Sequence, residues 1–362
     1  MLIQLSKRYL AVLTAAALLA YVLVWAYTCR PVRRPHPAHA AMLEAAGTMK
    51  RAAQQVALER RRSGWRPGPE DPNATGLIGA ETSVITTTLG NLSAKRTATN
   101  PNFAALIVRL LWEAGVRPGD TVAASFSGSF PGLNIATMAA GQALRLRLIV
   151  ISSVGASSWG ANLPTLTWPD LERLLIRAHV LADVPTAVTL GGGEDLGHGF
   201  SAAGLAAAQA AARRSGFPLL KANSWPEQLQ TRLDFYTHAA GRQPIKAYVN
   251  VGGNAASLGV YPASERIAGG LNPGGVLLGL PKAGEGNAHT FLRRGVPVLN
   301  LLDVRSLALR YGLPVDPVPL PEPGQGGIYE RAVPVALRWA GVLLLSFLTG
   351  VVAWVGAKEA AR

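Results

Sequence analysis

Two uncharged apolar runs, one near each end of the chain, constrain its folding more than any other feature. Tyr9 to Cys29 (YLAVLTAAALLAYVLVWAYTC) contains no charged residue. At about 1.5 Å per residue, a helix of that length covers the ~30 Å hydrocarbon core of a bilayer. The second run, Trp339 to Ala357 (WAGVLLLSFLTGVVAWVGA), has Trp339 and Trp354 near its ends and Lys358 just beyond. Interfacial Trp and a terminal Lys that snorkels are what a membrane span favours. Buried core helices are the alternative, but uncharged runs this long rarely fit inside a water-soluble domain. Ala38-His39-Ala40 fits the A-x-A cleavage pattern, yet it lies about ten residues beyond the apolar run, too far for ordinary signal-peptide removal. The expectation is a tail at 1–8, a transmembrane helix at 9–29, a second at 335–357 and a tail at 358–362, with both termini on one side of the membrane.

Charge is concentrated beside the first run. Of the net +14, half lies in residues 30–66, where nine Lys and Arg residues face only Glu44 and Glu59. A basic stretch next to a span lies on anionic headgroups, or draws an acidic polymer by its long-range field. No reading motif or aromatic-basic interleaving accompanies it, so nucleic acid is not an expected partner. Lys7 and Arg8 before the run nearly balance Arg30, Arg33 and Arg34 after it. The very short basic N-terminal tail tips the orientation towards an extracytoplasmic domain. Cys29 is the one cysteine, which excludes an intramolecular disulfide and a cysteine-based metal cluster.

Residues 30–74 read as a basic stem: a Pro-rich start (RPVRRPHP, 30–37), a juxtamembrane helix over 41–62 with Met42, Ala45, Met49, Ala52 and Val56 on one side, and a turn-rich linker at 66–73. A globular region then spans 75–319, followed by a linker at 320–334. Within the globular region helices alternate with short apolar strands. Helices are expected over 102–114 (capped by Thr99 or Asn100), 133–144, 168–182 (capped by Thr167, with Pro169 in its first turn) and 201–214. Strands are expected over 121–125, 146–152, 186–190, 246–251, 275–279 and 296–301. The pattern implies an α/β fold, a mostly parallel sheet with helices on both faces, flanked by the N-terminal and C-terminal transmembrane helices.

Ligands of an open parallel sheet sit beyond the carboxyl ends of the strands. Four unusual loops fall there: FSGSFPG (126–132), SSVGASSWGAN (152–162), GGGEDLGHG (191–199) and VGGNAASLG (251–259). Glycine lets backbone N–H groups approach a ligand, and Ser or Asn adds side-chain donors, a combination suited to carboxylate or phosphate. Tight turns alone also explain any single such loop. The candidate ligand-binding residues are Ser127, Gly128, Ser129, Ser157, Ser158, Asn162, Gly252, Gly253 and Asn254.

Other chemistries have thinner support. The elbow G-x-S-x-G is absent: GASSWG (155–160) misses it by one residue, and Ser127 and Ser129 have the strand-to-helix context with the wrong glycines. His198, His238 or His289 would have to serve as base, with Asp195 or Asp303 behind it. Glu194-Asp195-x-x-His198 matches no established metal spacing, and GEGNAH (284–289) lacks the third glycine of the dinucleotide fingerprint. No Walker A sequence is present. No metal and no cofactor is expected.

Four long strings, GLIGAETSVITTTLGNLSAKR (76–96), FSGSFPGLNIA (126–136), SSVGASSWGANLPTLTWPDLERLL (152–175) and YVNVGGNAASLG (248–259), together with the two-anchor layout, resemble the poly-gamma-glutamate system protein family over about residues 70–310. The resemblance implies an accessory protein in the bacterial cytoplasmic membrane. It would act beside the other subunits of the complex that synthesises and exports poly-gamma-glutamate, a capsule or secreted polyanion. It supplies no catalytic residues. On this reading the Gly/Ser loops hold a glutamyl unit or the polymer itself. A serine-type hydrolase or transferase acting on the polymer through Ser127 or Ser129, and a scaffold that binds no ligand, are the alternatives.

Overall fold

Short strands buried along nearly their whole length, the signature of a sheet covered on both sides, organise the centre of this protein. In the computed structural model the strands are β1 (Val32–Pro35), β2 (Thr121–Phe126), β3 (Arg147–Ser153), β4 (Asn162–Leu163) and β5 (Leu166–Thr167). They continue with β6 (Thr186–Thr189), β7 (Ile245–Val251), β8 (Gly270–Asn272), β9 (Val298–Leu301) and β10 (Glu330–Val333). The structure describes residues 32–276 and 282–333, with parts of 15–25 and 343–358. One six-stranded sheet has the order β6-β3-β2-β7-β9-β8, parallel throughout except for β8, which runs antiparallel at the edge.

Val122, Ala124, Phe126, Leu148, Val150, Val249 and Val251 point to one face, where they join the helices His39–Arg62, Asn102–Glu113 and Pro131–Ala143 in a single apolar cluster. The intervening Ala123, Ile149, Ile151 and Tyr248 meet the helices Trp225–Ala240 and Asn287–Arg293 on the other face. The expected α/β class with a mostly parallel, doubly covered sheet is therefore present. The chain moves outward from β2 through β3 to β6, then crosses to β7 on the opposite side of β2. The winding direction therefore reverses between β2 and β7, and an open parallel sheet places its ligand crevice at such a switch point.

Local signals place several helices where the sequence implies. Asp170 accepts from the Thr167 backbone N–H at 2.8 Å, so Thr167 and Asp170 form a capping box with Pro169 in the first turn. That helix ends at Arg177 rather than 182, because His179 adopts a left-handed backbone. Asn100 Oδ1 accepts the Asn102 N–H at 3.0 Å at the start of the 102–113 helix, but the N-cap position is Pro101 rather than the expected Thr99 or Asn100. The expected strand at 275–279 falls partly outside the described residues, and Gly275 is a turn. The edge strand is instead β8, whose Gly-Leu-Asn sequence offers no apolar run to read.

The 39–62 helix is a core element. Met42, Ala45, Met49, Ala52 and Val56 have no exposed surface, and the helix packs against the 102–113 and 131–143 helices. The globular unit thus runs from Pro37 to Tyr329, wider at both ends than the expected 75–319. Part of the expected linker 320–334 belongs to it: Asn102 Nδ2 donates to the Glu322 carbonyl at 3.1 Å, and Ile328 and Tyr329 are buried. A second unit comprises residues 1–36 and 330–362, and within it β1 pairs antiparallel with β10. The two apolar runs lie largely outside the described residues. Among the described residues no helix is long and apolar enough to cross a membrane.

Candidate functional site

A cavity of about 660 Å³ opens beyond the carboxyl ends of the parallel strands. All four Gly/Ser loops contribute to it: Ser127 and Ser129 after β2, Ser153, Gly155 and Ser157 after β3, Gly191 to Gly193 and His198 after β6, and Gly253 and Asn254 after β7. A fifth segment, Thr87 to Lys95, and Leu302 after β9 supply the remaining wall.

Two glycines are dictated by close approach. Gly252 has φ +82°, and a Cβ there would lie 2.8 Å from Ser127 Cβ, so the loops after β2 and β7 meet only if this residue lacks a side chain. Gly191, at φ +77°, brings the β6 loop against Gly155, where an added Cβ would stand 2.7 Å from the Gly155 nitrogen.

The serines form a connected group. Ser127 Oγ donates to Ser129 Oγ at 2.9 Å, and Ser129 Oγ accepts the Ser157 N–H at 3.0 Å. Lys95 joins them: its Nζ donates to Ser157 Oγ at 2.7 Å and to the Ser129 carbonyl, and lies 3.8 Å from the centre of the Phe130 ring. Only 3% of Lys95 is exposed. Among the described residues no carboxylate pairs with it, and burial alone lowers its pKa to about 7. Lys95 was not legible as a site residue, since one lysine in a chain of net +14 carries no pattern. It sits on the short helix Leu92–Thr97, which Asn91 caps by accepting the Ala94 N–H at 2.9 Å.

Beneath the serines lies a buried polar layer. Asp195 Oδ1 accepts from Asn254 Nδ2 at 2.8 Å, Ser153 Oγ at 3.0 Å and Thr189 Oγ1 at 2.9 Å. Its other oxygen accepts from Gln228 Nε2 at 3.0 Å and pairs with Arg232. Asp195 therefore fixes the Asn254 amide at the cavity wall.

The sequence candidates separate into two groups. Ser127, Ser129, Ser157, Gly253 and Asn254 line the cavity. Ser158 and Asn162 face away: Ser158 N–H donates to the Thr88 carbonyl at 2.9 Å, and Asn162 binds Ala80 through both amide atoms and Thr86 through Nδ2. Gly128 and Gly252 shape the loops from behind. Gly128 packs on Ala156 and accepts the Ala161 N–H at 2.8 Å, and Gly252 holds the approach to Ser127.

No histidine–serine pair forms in this group. His198 lies at the rim, largely exposed, 3.4 Å from Glu194. His238 is exposed on its helix, and His289 is buried elsewhere against the Ala263 carbonyl at 3.0 Å. Asp303 caps the Val304–Arg310 helix. Glu194 and His198 pair at the surface while Asp195 turns inward, so these three do not converge on a metal position. No family model, curated protein or solved structure matches this chain.

Proposed function

We propose that this protein is a membrane-anchored accessory component of poly-gamma-glutamate synthesis or export, and that its Gly/Ser cavity holds a carboxylate-bearing ligand such as a glutamyl unit. The observation that carries the binding reading is Lys95, a buried amine with no carboxylate partner, set in a wall otherwise built of hydroxyls, an amide and glycine backbone. An anion in the cavity would restore a full charge on Lys95, so ligand binding and proton uptake are coupled. The two uncharged end runs support anchoring. β1 and β10 bring the segments adjoining those runs side by side, which suits two spans entering the bilayer as a pair.

Isothermal titration of the purified full-length chain in detergent micelles with a γ-linked glutamate oligomer tests the site. The expected result is saturable binding accompanied by proton uptake near pH 8, weakened at least tenfold in Lys95→Met. A wild-type protein that is folded by circular dichroism yet binds no oligomer would leave only the scaffold alternative.

A further inference from the structure

We infer that Ser157 is a nucleophile for acyl transfer at amide bonds of this ligand, with Lys95 as its general base. The inference rests on the ligand reading above and concerns the complex in which an amide carbonyl of the ligand, not a carboxylate, stands beside Lys95, so that the amine stays neutral. Ser157 and Lys95 line one cavity, and their Oγ and Nζ atoms are 2.7 Å apart, within reach for direct proton transfer. No imidazole reaches any serine of the group, so this amine is the base that the geometry offers.

The surroundings fit a neutral amine. A neutral Lys95 has two N–H groups and one lone pair. One N–H is taken by the Ser129 carbonyl; in the ammonium another donates to Ser157 Oγ, and loss of that proton leaves the lone pair facing the serine hydroxyl. Loss of water around Nζ disfavours the ammonium, against the attraction of the Phe130 ring face for it, and lowers the amine's pKa to about 7. The other titratable side chain lining the cavity is His198, at the rim. Ser129 already accepts from Ser127 and from the Ser157 N–H. Its own hydroxyl hydrogen is left to donate, to an oxyanion formed beside Ser157.

The reaction balances with water or an amine as the second substrate. Ser157 Oγ attacks the amide carbonyl carbon, and its proton passes to Lys95 Nζ. The tetrahedral oxyanion forms beside the new ammonium, so the cavity that suits a carboxylate also suits this intermediate. The C–N bond breaks as Lys95 returns the proton to the leaving amine, and an ester to Ser157 remains. Water, or the amine of another chain, then attacks that ester. The C–O bond breaks, and Lys95 relays the attacking group's proton back to Ser157.

The full-length chain in detergent is treated with an alkyl fluorophosphonate and, separately, with a γ-linked glutamate oligomer, from pH 6 to 9, and both reactions are read by mass spectrometry. Expected are phosphonylation mapped to Ser157 and shortened or re-joined oligomer, with rates rising through pH 7 to a plateau. Both should be lost in Ser157→Ala. Lys95→Arg keeps the cation but not a neutral base, and should slow both reactions by about 10²–10⁴-fold. Absence of adduct and of altered oligomer from a wild-type protein that binds the oligomer overturns the nucleophile and leaves the binding site standing. An adduct confined to Ser127 or Ser129 overturns it equally. Absence of oligomer binding as well overturns both readings.

Discussion

Asp195 and Arg232 form an ion pair, Oδ2 to Nη1 at 2.5 Å, with neither side chain exposed to solvent. Arg232 also donates to Ser125 Oγ at 2.6 Å, on the central strand. The pair therefore ties the loop after β6 and the Trp225–Ala240 helix to β2, directly beneath the cavity wall. Removing one partner leaves the other buried and uncompensated, which typically costs about 3–5 kcal/mol. Asp195→Asn should lower the free energy of urea unfolding by that order. It should also weaken oligomer binding in the fraction that folds, because the acceptor left to Asn254 and Ser153 is a neutral amide oxygen in place of a carboxylate.

Lys95 should write a signature into stability against pH. Its folded pKa, about 7, lies below the ordinary lysine value of 10.5. Between these limits the unfolded chain holds the proton and the folded chain has released it, so stability rises with pH across that window. Below pH 7 both states are charged and the full cost of burying the ammonium is felt. Unfolding titrations at pH 6, 8 and 10 should show the wild type gaining on Lys95→Met by about 2–4 kcal/mol over the series. Parallel curves for the two proteins would mean that Lys95 keeps an ordinary affinity for its proton.

Glu172 works in the opposite sense. It is wholly buried between Ser152 and Thr186, whose hydroxyls donate to it at 2.7 and 2.9 Å. Burial raises its pKa to about 7 in spite of those bonds. From about pH 4.5 to 7 the folded chain keeps a proton that the unfolded chain has lost, so stability falls across that interval and stays lower above it. Glu172→Gln should flatten the slope there, removing a change of about 2–3 kcal/mol. An unaltered slope in that variant would place the titration elsewhere.

Asn162 and Asn254 provide a paired control. Both are buried asparagines on the Gly/Ser loops, but Asn162 fastens residues 80–86 while Asn254 faces the cavity. Asn162→Ala should cost about 1–3 kcal/mol of stability by orphaning buried backbone groups, with oligomer affinity kept in the folded protein. Asn254→Ser should do the reverse, since serine still caps the turn that follows. Thermal melts and titration calorimetry on the two variants distinguish these outcomes.

The sequence by itself determined the sheet class and most of the central strands, because β2, β3, β6, β7 and β9 are short apolar runs bounded by turns. It also determined the loops of the site. A parallel sheet sends every strand's carboxyl end to one edge, so Gly/Ser stretches after successive strands had to share that edge. The Trp225–Ala240 helix was not among the expected ones, although Ser224-Trp-Pro-Glu227 repeats the pattern of Thr167-Trp-Pro-Asp170, with Ser224 Oγ accepting the Glu227 N–H at 3.4 Å. Tertiary structure alone decided the rest. The 39–62 helix enters the core because its apolar stripe has the 102–113 and 131–143 helices to bury against, partners that its own spacing does not name. Likewise, Lys95 becomes distinctive only through its neighbours: 62 residues separate it from Ser157, and an amine's proton affinity depends on the water removed from around it, which only the folded chain sets.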